Sequence, residues 1–133
     1  AIETAMRLGE LMGLRWHNVY LDKRYVHLFD SKNSDSRDVP LSNRAVELLK
    51  KIPQRDESVF QCGSDQASTL FARAVKRAGV RDLHFHDTRR EALTRLSKKL
   101  DVLELARMVG HRDPRSLMIY YAETAEEMAK KLD

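Results

Sequence analysis

The spacing of apolar residues changes twice along this 133-residue chain, and the two changes set its fold class. Residues 1 to 15 place Ile2, Ala5, Met6, Leu8, Leu11, Met12 and Leu14 at helical intervals, with Gly9 and Gly13 as break points between short turns. From Trp16 the interval drops to two. Val19 and Leu21, Tyr25 to Phe29, and Val39 and Leu41 alternate with polar residues, punctuated by Asp22-Lys23 and Asn33-Ser34-Asp35, which predicts a three-stranded antiparallel sheet with tight turns. Pro40 suits an edge strand.

Helical spacing returns at Ser42, a cap for a helix to about Lys51 with Ala45, Leu48, Leu49 and Ile52 on one face. Val59 and Phe60 form a short extended piece. Ser64 caps a helix whose Leu70, Phe71, Ala74, Val75 and Ala78 lead to Gly79. Another helix, with Asp87 as its cap, reaches about Lys99 and turns Ala92, Leu93 and Leu96 inward. Asp101 and Glu104 make a capping box for a helix ending at Gly110. Residues 115 to 121 and Thr124 to Leu132 are two further short helices. The expected fold is α+β, mainly α-helical with one small three-stranded antiparallel sheet.

Hydrophobic residues make up 42% of the chain, enough for one compact core, and no apolar run approaches the roughly 18 residues that span a bilayer. The single Cys62 supports neither an internal disulfide nor a zinc site and reads as an inert apolar residue, so a reducing cytoplasm is the expected location, with no membrane partner. Ala1 begins inside a helical pattern without a cap or an initiator Met, so the chain is read as cut from something longer. The net charge of +4 is unevenly placed: residues 1–66 carry ten basic and ten acidic side chains, residues 67–133 fourteen and ten. The stretch from Arg73 to Arg115 is densest, as a phosphate-facing surface would be.

The chain has no Gly-rich phosphate loop, paired-carboxylate metal cluster or nucleophile elbow, which weighs against nucleotide hydrolysis and metal-dependent nuclease chemistry. Four local contexts remain. Arg7 and Glu10 lie three apart in TAMRLGELMGLRW; Lys32 sits at the tip of the hairpin in SKNSDSRDVPLS; His86 and Arg89 flank a helix start in FHDTRREALTRL; and His111 follows Gly110 in MVGHRDPRSLMIYYAE, with Tyr120 nine residues on. Taken singly, each has an ordinary reading: a surface ion pair, a solvated turn lysine, a capped helix start, a buried tyrosine.

Their order and spacing, with the words VPLS, HD and VGH between them, resemble the catalytic domain of the tyrosine recombinases, the phage integrase family, over essentially the whole chain. That resemblance implies the DNA breaking-rejoining catalytic-domain fold, with the separate N-terminal DNA-binding domain absent from residues 1–133. It makes Arg7 and Arg89 the two active-site arginines, Lys32 the hairpin lysine, His86 and His111 the two histidines, and Tyr120 the nucleophile. Glu10 is read as a supporting partner that orients a basic group.

The chemistry fits those residue types. A phenol of pKa about 10 is a poor nucleophile and a phosphodiester is an anion, so two arginines must neutralise the phosphate and hold the transition state. His111 adds a hydrogen bond, His86 assists proton transfer at the tyrosine, and Lys32 is the general acid for the departing 5′ oxygen. The implied product is a 3′-phosphotyrosine and a free 5′-hydroxyl, with no metal, ATP or other cofactor required. Three departures stand out: Thr4-Ala5 replaces the family's usual Thr-Gly, Arg90 replaces a frequent His, and Tyr121 follows Tyr120, so that the nucleophile rests on register. The implied partners are double-stranded DNA with specific target sites, a homotetramer on that DNA, and accessory DNA-bending proteins, in a bacterial or phage setting. A topoisomerase that relaxes DNA by the same chemistry, and a non-catalytic DNA-binding module, are the competing readings.

Overall fold

Strand register decides which side chains of the sheet face inward. A computed structural model describes residues 1–30, 35–111 and 113–133; Lys32 lies outside them. β1 (Val19–Tyr20), β2 (Tyr25–Asp30) and β3 (Asp35–Pro40) pair antiparallel in chain order, as the alternation predicts. Val26 stands opposite Val39 and Leu28 opposite Arg37, and directly opposed residues share a face. Val26, Leu28 and Val39 are buried, so Arg37 stands on the core side of the sheet. Ser36 and Asp38 alternate to the exposed side.

The opening helix is shorter than its spacing predicts. α1 covers only Leu8–Met12, and the break falls at Ala5, whose φ of 58° lies in the left-handed region. Gly9 lies inside α1 and Gly13 closes it. A left-handed Ala costs about 1–2 kcal/mol that glycine avoids, which is a physical reason for the family's usual Thr-Gly where this chain has Thr4-Ala5.

α2 (Asn43–Lys50) is capped by Ser42, whose Oγ accepts from the Ala45 N–H at 3.1 Å; Ala45 and Leu49 are buried, but Leu48, expected on the same face, is exposed. α3 (Ser64–Arg77) starts from Gly63 rather than from a Ser64 cap, and none of its residues is buried: its predicted apolar face packs only in part, Phe71 meeting Phe85 edge-on at 5.3 Å.

α4 (Asp87–Leu96) is entered through His86, already helical, while Asp87 accepts from the His84 N–H at 2.8 Å, so Asp87 is not the cap. It stops at Leu96, short of Lys99. α5 (Val102–Val109) has the expected Asp101–Glu104 box and ends at a left-handed Gly110, φ 78°. Its Leu105, Ala106, Met108 and Val109 are all buried, beside Ala92 and Leu93 of α4 in one core. Residues Pro114–Tyr121 form a 3₁₀ helix rather than an α-helix, and α6 (Ala125–Lys130), capped by Thr124, buries no residue. Among the described residues no helix is long and apolar enough to cross a membrane.

Candidate active site

Arg89 occupies the first turn of α4 and is 4% exposed. Its guanidinium donates to the carbonyl of Ala5 and, at 3.2 Å, to that of Val109. The left-handed turn before α1 and the last turn of α5 thus each supply an otherwise unpaired carbonyl to one side chain. Burial is the main cause that brings its pKa down to about 10, with the nearby Arg7 charge adding to it. It remains a cation at neutral pH, held without a carboxylate of its own among the described residues.

His111 follows the Gly110 stop and lies beside that cation, its Nε2 3.2 Å from Arg89 Nη2. A guanidinium only donates, so Nε2 accepts. The ring proton therefore sits on Nδ1, which donates to Ser116 Oγ at 2.6 Å, and Ser116 Oγ in turn donates to the Asp113 carbonyl at 3.2 Å. Desolvation, followed by the charges of Arg89, Arg7 and Arg37, keeps the His111 pKa below its ordinary value, so the neutral imidazole is the resting form.

Arg7 is exposed, and its guanidinium makes no hydrogen bond or ion pair among the described residues. Its backbone N–H donates to Glu10 Oε1 at 2.8 Å. The other carboxylate oxygen of Glu10 pairs with Arg37 Nη1 at 2.7 Å. The Glu10 pKa stays below the usual carboxylate range even though desolvation, the largest single influence, pushes it up; the hydrogen bonds from Arg37 and from the Arg7 N–H outweigh it. Glu10 therefore holds a backbone group and a second arginine, not the Arg7 side chain that helical spacing suggests. Arg37 is the residue that reading by motif passes over. The signal for it was present: the alternation of β3 puts Arg37 on the same face as Val39, and a charged residue at a core-facing position needs partners.

Tyr120 and Tyr121 close the 3₁₀ helix, both partly buried, and they are placed differently. The Tyr121 hydroxyl donates to the Leu100 carbonyl at 2.7 Å, and burial pushes its pKa up. The Tyr120 phenol lies near enough to Arg89 for its charge to bear on that guanidinium. His86 lines a cleft of about 360 Å³ with Leu8, Phe71, Leu83, His84 and Phe85; its carbonyl accepts from the Arg89 N–H at 3.0 Å, but among the described residues its imidazole makes no hydrogen bond to Arg89 or His111. The structure thus gathers Arg89, His111, Glu10 and Arg37, brings Arg7 and Tyr120 alongside, and leaves His86 at the edge. Among the described residues no three His, Cys, Asp or Glu side chains are grouped to hold a metal ion.

The chain belongs to the phage integrase family, whose profile matches residues 1–127. A Haemophilus influenzae protein is 45% identical to it over 137 residues, which take in all of this chain and 45% of that protein. The shufflon-specific DNA recombinase of Escherichia coli is 40% identical over 136 residues, all of this chain and 35% of that protein. The chain therefore spans less than half the length of these relatives. In fold it is similar to the Tn1549 transposon integrase solved with circular intermediate DNA, with a TM-score of 0.80 at 17% identity over 98% of this chain and 55% of that one. The catalytic domain of bacteriophage HP1 integrase gives a TM-score of 0.76 at 23% identity, covering 99% of this chain and 77% of that one. The fold is thus that of a tyrosine recombinase catalytic domain, as the motifs imply.

Proposed function

We propose that this chain is the catalytic part of a site-specific DNA recombinase that cleaves and rejoins strands through a 3′-phosphotyrosine on Tyr120. The observation that carries this reading is an excess of positive charge in one place, buried at Arg89, half-buried at Arg37 and exposed at Arg7. Arg7 and Arg37 both bear on Arg89, and Glu10, already bonded to Arg37, is the carboxylate among them. Buried cations need compensation, and a phosphodiester supplies it.

In the proposed reaction Arg7 and Arg89 hold the two non-bridging oxygens and His111 donates to one of them. Tyr120 Oη attacks phosphorus and passes its proton to His86. The bond to the 5′ oxygen breaks, and that oxygen takes a proton from Lys32. Attack by the 5′-hydroxyl of a second DNA end reverses the step, so the phosphodiester bond energy is kept in the enzyme–DNA link. To donate to a phosphate oxygen, His111 Nε2 must carry a proton that the free site lacks. Binding an anion next to it raises its pKa and draws that proton in. A homotetramer on paired target sites, aided by DNA-bending proteins, belongs to the same proposal.

The test uses nicked suicide duplexes tiled across the DNA that flanks the gene. The proposal expects a covalent protein–DNA adduct from the intact protein and none from Tyr120→Phe. An adduct that survives Tyr120→Phe and is lost in Tyr121→Phe moves the nucleophile. Relaxation of a supercoiled plasmid without exchange of partners identifies a topoisomerase, and DNA retention with no adduct identifies a non-catalytic module.

A further inference from the structure

Arg37 has no part in the proposed bond-making, yet it touches two of the segments that carry the site, α1 and the end of α5. On β3 its Nη1 pairs with Glu10 Oε2 at 2.7 Å, and Glu10 Oε1 accepts from the backbone N–H of Arg7. Its Nε donates to the carbonyl of Met108 in the last turn of α5, at 2.9 Å. Its Nη2 is buried without a partner among the described residues. A Cβ built on Gly110 would fall 2.9 Å from Arg37 Nη1 and 3.1 Å from its Cζ, so the guanidinium lies against the backbone one residue before His111. Gly110 is thus required twice, for its left-handed φ and for this close approach.

We propose that Arg37 is a positioning residue whose planar guanidinium, bridging Glu10 and the Met108 carbonyl over Gly110, sets the distance between the Arg7 segment and His111. The inference rests on the recombinase reading and adds a residue to its site. A bonded path runs from the Arg7 backbone through Glu10 and Arg37 to the end of α5, so three segments distant in sequence move as one. The fork faces two fixed acceptors, and among the described residues its third donor, Nη2, has no partner. The charges facing His111 are Arg89 on α4, Arg7 before α1 and Arg37 on β3, so removing Arg37 changes both the placement and the electrostatics of the imidazole.

The experiment measures adduct formation and DNA affinity separately for the intact protein and its Arg37 variants. Arg37→Met is expected to slow adduct formation about 100-fold, the scale of an ångström-sized misplacement of reacting groups, while the Kd for target DNA changes less than about threefold. Arg37→Lys keeps the charge without the fork and should recover about tenfold of that loss. Adding Glu10→Gln to Arg37→Met separates positioning from neutralisation: the double variant stays slow if Arg37 positions, and a return to the normal rate overturns the proposal. A substrate with a 5′-bridging sulfur, which leaves without a general acid, should not rescue Arg37→Met. Rescue would mean that Arg37 acts through the hairpin lysine instead.

Nitrogen-15 spectra of the histidines give a readout independent of turnover. The intact protein should show a neutral His111 protonated on Nδ1, and Arg37→Met should shift its titration to higher pH. An unchanged His111 signal overturns the positioning role even if the intact protein forms no adduct, whereas a missing adduct alone sinks the recombinase reading.

Discussion

The two arginines that the motifs treat as equals occupy opposite kinds of environment. Arg89 is 4% exposed and bonded to the Ala5 and Val109 carbonyls; Arg7 is exposed with its guanidinium uncommitted among the described residues. The same contrast extends around them. The floor of the site, made by Arg89, Glu10, Arg37 and the ends of α5 and of the Ala5 turn, is tied by charge-assisted bonds to backbone. The rim, made by Arg7, His86 and the 3₁₀ segment with Tyr120, is half open, and Met118 and Ile119 beside Tyr120 are 60% and 76% exposed. Part of the site is therefore built before any substrate arrives, and part is left free to meet it, which is the division that transition-state binding requires.

Loss of the proposed nucleophile tests the rim most severely. Tyr120→Phe should abolish the covalent adduct with the melting temperature nearly unchanged, since no hydrogen bond of its phenol is seen in the described site. Arg89→Lys tests the floor: it keeps the charge and loses the fork, so adduct formation should fall roughly 10²- to 10³-fold, with about 2 kcal/mol of stability lost as a carbonyl goes unpaired. Equal damage from Arg7→Lys in a denaturant melt would erase the distinction between floor and rim. Gly110→Ala should destabilise by about 2–3 kcal/mol, through left-handed strain and contact with the pinned Arg37, as read by urea unfolding.

His111 sits where floor and rim meet, and pH reports on it. Its folded-state pKa lies below that of the unfolded chain, so the unfolded state binds more protons as pH falls through the ordinary value of about 6.5. The stability held above that pH is lost as pH drops toward the folded value, and His111→Gln should flatten that part of the stability profile. DNA binding should run the other way, tightening below about pH 6.5 in the intact protein and not in the variant. The smaller effects concern anchoring. Tyr121→Phe removes one bond to the Leu100 carbonyl and should cost about 1 kcal/mol, with the adduct still formed. Ala5→Gly relieves left-handed strain and deletes a buried methyl, two effects of similar size, so stability should move by less than about 1 kcal/mol.

Local signals in the sequence were legible where one residue type answers to one local requirement. Ser42, Asp101 with Glu104, Thr124 and Gly110 fix helix ends because a side-chain oxygen or a left-handed glycine satisfies groups within a few residues. The strand alternation fixed the sheet for the same reason. Expectations failed where the answer depends on what lies across the fold. Leu48 and the apolar side of α3 carry helical spacing without enough neighbours to cover them. The chain breaks at Ala5 and not at Gly9 because the Ala5 carbonyl meets Arg89, 84 residues away.

By itself, the sequence determined the identity, order and spacing of Arg7, Lys32, His86, Arg89, His111 and Tyr120, because those positions carry the family's motifs in linear form. Tertiary structure alone decided which of them are held and which are free: that Arg89 is buried against two carbonyls, that Glu10 serves Arg37, that His111 is a neutral acceptor, and that Tyr121 is tied down while Tyr120 lies alongside the site. Hydrogen bonds between segments far apart in the chain have no period to read, so a charge on the inner face of a strand can signal that partners exist, but only the packed fold says which they are.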